Sequence, residues 1–438
     1  MPSLDRTLSR AGFLTSQTGI VSPSMRHFAP VLLAVIVVGT LGCREDAESP
    51  TGPQSEPALA TAQAVAALAL RQVSAGTGHT CGVTTDNRAY CWGGNGYGQL
   101  GIGSTLDTSG PVAVARGLLF TQVSAASHHT CGVTTDSAIY CWGLSDNGQL
   151  GNGSLSRRVR PVLVKGGLRF TQVSTGAFHT CAVTTENRAY CWGDNGYGEL
   201  GDGGTGADRL TPVAVAGTRR FRRVDAGYNY SCGVTLADKA FCWGDNSWGQ
   251  LGTGTQDPEE GAPRHSRPEA VVGGLRFRQV VAGGFHTCGR TTDDRAYCWG
   301  FGRLGDGNAS SLRLTPTAVA GGLSFRQLVA SDSRTCGVTT DDQAYCWGSN
   351  SAGALGDGTT TDRLAPVAVL GGLRFRAVST DSPVVGSHTC GVTVDNRAYC
   401  WGSNAGGQLG TGTTTGPETC PPNGTACSTK PTAVIGPS

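Results

Sequence analysis

Cys81-Gly-Val-Thr-Thr-Asp-Asn-Arg-Ala-Tyr-Cys-Trp-Gly93, followed at once by Gly-Asn-Gly-Tyr-Gly-Gln-Leu-Gly101, is a phrase that the chain writes seven times. Cys-Trp-Gly recurs at Cys91, Cys141, Cys191, Cys242, Cys298, Cys346 and Cys400. Ten positions ahead of each stands a partner: Cys81, Cys131, Cys181, Cys232, Cys288, Cys336 and Cys390. Successive first cysteines lie 50, 50, 51, 56, 48 and 54 residues apart. A period near 50 marks a repeat architecture in which one supersecondary unit recurs, and the longer intervals mark insertions into loops.

Within a unit the pattern is strand and turn. Residues 118–125 form one β-like run, Thr130 to Thr134 and Ala138 to Trp142 two more, and Pro111 to Ala115 of the preceding stretch a fourth. Gly-, Asn- and Asp-rich breaks separate them, with no 3.6-residue apolar period. Four short antiparallel strands per unit, seven times over, predict an all-β fold, a seven-bladed β-propeller, because radial closure hides most strand edges. Residues 68–438 shared among seven copies give about 53 residues each, enough for four strands and their turns.

Composition agrees. Of 438 residues 67 are Gly, 38% are hydrophobic and only 15% are charged. A packed core is therefore available, and Gly without a three-residue period excludes collagen. Lys and Arg total 34 against 32 acids, a net charge of +2. Such a balance gives no overall electrostatic footprint for nucleic acid or an anionic membrane.

The wording of the repeat carries a resemblance. Asn-Gly-Tyr-Gly-Gln-Leu-Gly (95–101) after Cys-Trp-Gly, and Val-Ser-Ala-Gly-x-x-His-Thr (73–80) before the first Cys, are similar to the regulator of chromosome condensation repeat, from about residue 68 to 435. The resemblance implies a seven-bladed propeller. Its members include a nuclear nucleotide-exchange factor and a secreted inhibitor of β-lactamases, so the fold does not fix the function.

The paired cysteines depart from that repeat. With Asp86 at the turn, antiparallel pairing sets Cys81 opposite Cys91, Gly82 opposite Tyr90 and Val83 opposite Ala89. Directly opposed residues are about 4.5–5.5 Å apart at Cα, within disulfide range. Gly82 leaves room for the Tyr90 ring on the other face. Seven such pairs, with Cys420 and Cys427 as an eighth, leave only Cys43 of the 17 cysteines. Zinc is the rival reading, because His79 shares a face with Cys81 and Cys91. However, Tyr230 and Arg334 replace the His in two repeats that keep both cysteines. The histidines (His79, His129, His179, His286, His388) read as structural, fixing the adjacent turn.

Other signals fade in context. Gly96-Tyr-Gly98-Gln-Leu-Gly101 matches a dinucleotide-binding glycine pattern but lacks the following helix. Asp194-Asn195, Asp202 and Asp245-Asn246 hint at calcium without its spaced run of acids. No nucleophile-elbow, zincin or P-loop motif occurs, and no cofactor, metal or catalytic residue is expected.

The first 67 residues are different text. Met25-Arg26-His27 and the uncharged run Phe28 to Leu41 read as a signal region ending at residue 42, with Met25 a more natural start than Met1. Thr40-Leu41-Gly42-Cys43 resembles a lipoprotein signal of bacteria, which implies cleavage before Cys43 and its lipidation; a plain secretory signal is the alternative. Residues 43–67 read as a flexible tether.

The expected function is an extracytoplasmic, membrane-tethered scaffold in the cell envelope that binds a protein partner as a monomer, without catalysis or nucleic acid. It would touch the membrane only through its N-terminal lipid, and would be secreted if Cys43 is bare. The alternative is an extracytoplasmic propeller enzyme acting on a carbohydrate or small molecule. The turn between the first two strands of a unit and the loop after Cys-Trp-Gly must emerge at one end of the blade. Residues that differ between copies gather there: His128, Phe178, Tyr228, Asn229, Phe285 and Asp332 with the inserted Pro383-Val384-Val385, and Tyr97, Tyr197 and Trp248. They read either as a binding face or as rings packed on neighbouring loops.

Overall fold

Each repeat folds into one antiparallel sheet, and the computed structural model describes residues 68–258, 264–309, 312–381, 387–421 and 424–437. In blade 1 the strands are β1 (Leu70–Gly76), β2 (His79–Thr84), β3 (Ala89–Gly93) and β4 (Thr108–Ala113), hydrogen-bonded in that order. Six blades have four strands; the seventh adds a short hairpin, Glu418–Cys420 against Thr425–Ala433. The fourth strand begins three residues before the expected Pro111. A bulge lets Gly93 pair with Thr108 while Cys91 pairs with Val112, which lengthens the outer strand by one turn of the ladder. Pro111, Pro161, Pro212, Pro268, Pro316 and Pro366 all fall on this outer strand, where a missing N–H costs no ladder bond.

The first strand of each blade lies innermost, and its polar side chains tie blade to blade. Gln72 donates from Nε2 to Val123 O (2.8 Å) and accepts from Val123 N (3.0 Å), so its amide stands in for a neighbouring strand. Ser74 Oγ accepts from Ala125 N (2.9 Å) in the same way. Inner edges that would otherwise be unpaired are thereby satisfied.

The core consists of seven slabs between adjacent blades. Cys81, Val83, Cys91 and Leu100 of blade 1 pack on Phe120, Val123 and Trp142 of blade 2, and the other six interfaces repeat this set. Cys81 pairs with Cys91 in register as expected, and all seven hairpin disulfides have Cα–Cα distances of 4.0–4.1 Å, closer than anticipated. The eighth disulfide, Cys420–Cys427, spans 5.9 Å.

The space at the hairpin glycine is not taken by the opposite tyrosine. A Cβ on Gly132 would sit 2.5 Å from Phe120 Cδ1, so the first-strand ring of the same blade fills it. That ring reaches Trp142 edge-on at 5.8 Å between centroids. In blade 3 Ala182 replaces the glycine, and the Phe170–Trp192 separation widens to 6.3 Å. Gly101 is required for two reasons: its φ is +69°, and a Cβ there would meet the Trp142 indole at 2.7 Å.

Among the described residues every blade is built from consecutive strands, with none exchanged to close the ring. Blade 7 joins blade 1 through the contacts used elsewhere: Leu70 N donates to Asn396 O (2.9 Å), Ala75 N to Ser379 Oγ (2.9 Å) and Trp92 Nε1 to Gln408 O (2.9 Å). Gln63–Ser438 is accordingly one compact unit.

Candidate binding face

The two-residue turn after β1 and the long loop after β3 do leave the blade at the same end, where Gly94 N donates to Gly78 O (2.7 Å). We call this the loop end, and the end bearing the β2–β3 turn the hairpin end. Loop shape is set from within. Asn95 Oδ1 accepts from Leu100 N (3.0 Å), and its Nδ2 donates to Ser104 O and Leu106 O (both 3.0 Å). The loop is then clipped to the next blade, where Trp142 Nε1 and Thr130 Oγ1 both donate to Gln99 O (2.8 and 2.9 Å). Asn195 and Asn246 are used in the same way, and Asp202 pairs with Arg209 at 2.8 Å, so these residues are occupied as loop structure. Among the described residues no group of three His, Cys, Asp or Glu converges as a metal set.

All nine candidate residues lie at the loop end, and the structure brings six of them together as three pairs. Tyr97 meets His128 edge-on at 4.5 Å, Phe178 meets Tyr228 at 5.8 Å, and Trp248 meets Phe285 at 6.2 Å, each pair bridging neighbouring blades. Tyr197 lies under the Arg264 guanidinium at 4.1 Å. Packing and exposure thus coexist: Tyr97 and Phe285 keep 41% of their surface, while Phe178, Tyr228 and Trp248 are half-buried. Asn229 and Asp332 are also partly exposed. Pro383-Val384-Val385 and Cys43 lie outside the described residues.

A groove of about 400 Å³ runs across this end, lined by Tyr97, His128, Phe178 and Tyr228 with Asn95, Gln99 and Asp107. Its wall combines four rings with the polar side chains of Thr77, Asn95, Gln99, Asp107 and Ser127, which suits a side chain that is part apolar and part hydrogen-bonding. Beside it, at the axis, is a smaller cavity of about 90 Å³ between first-strand ends, with Tyr228, Asp332 and Asp381 among its walls. Burial lowers the His128 pKa, so this imidazole is neutral in the groove. Burial and the nearby Asp332 raise that of Tyr228, which stays a phenol. Sequence reasoning missed Phe301, which stacks on Trp248 at 4.6 Å, and Arg264; neither belongs to the repeated wording.

The histidines reach across to the next blade, and His388 also bonds Asp381 Oδ2 (2.8 Å) in its own turn. His79 Nε2 lies 3.0 Å from Thr130 Oγ1 of the next blade, His129 3.0 Å from Thr180, His179 2.8 Å from Ser231 and His286 2.7 Å from Thr335. Thr130 passes its own proton to Gln99 O, so the neutral imidazole donates from Nε2. Tyr230 substitutes by donating to His286 O (2.6 Å). Arg334 substitutes by donating to Thr380 Oγ1 (2.8 Å) and Ser387 Oγ (2.5 Å) and pairing with Asp381. The set Asp381, His388 and Thr80 has the outline of a catalytic triad, with Thr80 Oγ1 2.7 Å from His388 Nε2. All three are fully buried, and the Thr80 hydroxyl already donates to Gln408 O (2.9 Å). A nucleophile needs an approachable oxygen, so this geometry joins blades.

The profile of the RCC1-like domain matches residues 36–382, and that of the regulator of chromosome condensation (RCC1) repeat matches residues 384–408. The human protein HERC4, described as a probable E3 ubiquitin-protein ligase, is 37% identical over 86 residues, 19% of this chain and 8% of HERC4. The Arabidopsis thaliana ultraviolet-B receptor UVR8 is 32% identical over 107 residues, 24% of this chain and 23% of the receptor. The chain therefore spans only a small part of these curated relatives. Among solved structures, human WBSCR16 superimposes with a TM-score of 0.64 at 20% identity, covering 72% of this chain and 86% of that one. Yeast RCC1 (Prp20) bound to Kap60 gives 0.62 at 21% identity, covering 70% and 77%.

Proposed function

The chain belongs to the RCC1-like domain family, and from that premise we propose that its propeller is a rigid protein-binding scaffold whose contact surface is the loop end. The observation that carries the reading is the groove of about 400 Å³ walled by Tyr97, His128, Phe178 and Tyr228. Aromatic side chains on loops held by a stiff ring lose little entropy on binding, and Tyr and Trp are enriched among interface hot spots. Yeast RCC1, which shares the fold, was captured bound to the protein Kap60.

We place the scaffold outside the cytoplasm. Eight disulfides fit an oxidising compartment. Thr40-Leu41-Gly42-Cys43 supports cleavage before Cys43 and its lipidation, with residues 43–67 as the tether. Mass spectrometry of the mature N-terminus tests this: a lipid-modified Cys43 is expected, and an unmodified thiol or cleavage elsewhere overturns it.

The binding reading is tested by a photo-crosslinking residue at position 97 or 228, with position 136 at the hairpin end as control. In extracts of the source organism, adducts should form from the first two positions only. Those from position 97 should disappear when Phe178 and Tyr228 become Ala. Adducts insensitive to those substitutions, or equal at both ends, overturn the loop end as the contact surface.

A further inference from the structure

A net charge of +2 averages over two unlike ends. The residue after the first inward side chain of the innermost strand is Arg71, Arg222, Arg278, Arg326 and Arg376 in five consecutive blades, with Thr121 and Thr171 in the other two. These arginines therefore ring the axis at the hairpin end. Arg71 Nη2 donates to Thr121 O (2.8 Å) and Arg326 Nη1 to Arg376 O (2.6 Å), each reaching the next blade. A second rank stands just before the strand, at Arg169, Arg220, Arg276 and Arg374.

Carboxylates at this end answer only part of that charge. Asp238 holds Arg222 at 2.7 Å, and Asp342 holds Arg326 and Arg374 at 2.8 and 2.9 Å. Arg276, Arg278 and Arg376 are exposed and bond only to carbonyls, of Ala237, Thr292 and Val394, among the described residues. The β2–β3 turns add acids of their own, Asp86, Asp136, Asp293, Asp341 and Asp395 among them, and Asp136 lies 3.6 Å from Arg169, but the arginines of this end outnumber the acids.

Aliphatic side chains are set among the arginines. Leu119, Leu236 and Val394 are 45%, 49% and 44% exposed. Leu236 and Val394 occupy the turn position that is Thr in the other five blades (Thr85, Thr135, Thr185, Thr292, Thr340). The large exposed aromatics, Tyr97 and Phe285, are both at the other end.

We propose that the hairpin end is a docking surface for an anionic lipid bilayer. Guanidinium groups match phosphate oxygens, and exposed aliphatic tips add burial at the headgroup boundary. Single-stranded nucleic acid would call for freely exposed aromatic stacking platforms, and the aromatics nearest this end, such as Tyr90 and Tyr297, are half-buried. Chain direction agrees: Leu70 opens β1 at the hairpin end, so residues 1–67 join the propeller there.

The test is flotation of the full chain with phosphatidylcholine vesicles against vesicles that also carry phosphatidylglycerol. The contrast isolates the arginines, because the apolar run Phe28 to Leu41 would insert in either. A preference for the anionic vesicles is expected, falling roughly fivefold per arginine removed and roughly a hundredfold for Arg276→Gln, Arg278→Gln and Arg376→Gln together. Leu236→Thr with Val394→Thr, which restores the residue of the other blades, should weaken binding that persists at high salt. No anionic preference in the wild type, or a preference unchanged in the folded triple variant, overturns the proposal. So does tighter binding to single-stranded RNA at equal phosphate concentration.

Discussion

Asp381 Oδ2 lies 2.8 Å from His388 Nδ1, and both side chains are wholly buried. The other oxygen of the same carboxylate lies 3.1 Å from Arg334 Nη2, reaching in from the preceding blade. Arg334 stands where five blades carry the blade-joining His, and Asp381 is the acid that makes a buried guanidinium tolerable there. Removing one member of such a pair strands the other charge, whereas replacing both can be nearly neutral. Asp381→Ala should therefore cost about 3–5 kcal/mol in denaturant unfolding. Arg334→His with Asp381→Ser, which restores the common His arrangement, should cost much less than the two single changes summed. Additive losses would show that the two residues are not coupled.

The other blade-joining histidines make the fold sensitive to acid. Burial drives His79, His129 and His179 down to about 3 and His286 to about 4. The folded state keeps these imidazoles neutral, while the unfolded chain takes up protons below about pH 6.5. The stability these neutral imidazoles contribute is thus complete above pH 6.5 and declines as pH falls toward 3, with a slope of up to about four protons. Urea midpoints measured from pH 7 to 4 should trace this decline. A His129→Tyr variant, copying Tyr230, should lose about one proton from the slope. A slope that the substitution leaves unchanged would refute the assignment.

The hairpin disulfides are part of the core. Cys131 and Cys141 have no exposure and pack among Val133, Leu150, Phe170 and Trp192. Converting this pair to Ala should cost about 2–3 kcal/mol from loop closure. Converting it to Ser should cost more, because two hydroxyls are then buried without designed partners. Either variant should keep the β-sheet circular dichroism, since six other interfaces are untouched. Thiol titration of the native protein with a mild reductant should find none of the fourteen hairpin cysteines free until the ring is unfolded.

What the chain shows as text is what the fold repeats. The ten-residue Cys spacing carries hairpin register, because antiparallel pairing about one turn leaves little choice, and seven copies call for closure. Contacts between copies were illegible for the same reason. Thr130 and Gln122 read as ordinary strand residues until the neighbouring blade is placed beside them, where Thr130 meets His79 and Gln122 bonds Val173 in both directions. The loop-end residues were found because they vary between blades, yet their pairing depends on partners about 30 to 50 residues away. Phe301 was invisible because its blade has a shortened loop that breaks the alignment of copies.

A single carboxyl in one loop makes a prediction of the opposite sign to the histidines. In blades 1, 2, 4 and 7 a Gln side-chain oxygen accepts from the backbone N–H two residues earlier, as Gln99 does from Tyr97 (2.9 Å) and Gln250 from Trp248 (2.8 Å). Gln250 then donates from Nε2 to Asp245 (2.9 Å). Blade 3 has Glu199 at this position and Asp194 where blade 4 has Asp245. Glu199 Oε2 accepts from Tyr197 N (2.7 Å), but its Oε1 is buried with no partner. Burial first, and then the Asp194 charge, push Glu199 up to about 8. The folded state therefore holds a proton that the unfolded chain releases above about pH 4.5. Stability falls as pH rises from 4.5 through 8 and is level beyond that. Glu199→Gln keeps the bond from Tyr197 and supplies the missing donor toward Asp194. The variant should match the wild type near pH 4.5 and melt several degrees higher at pH 9, the histidine contribution cancelling in the difference. Parallel melting curves across that range would mean that Glu199 ionises freely and the loop carries no such penalty.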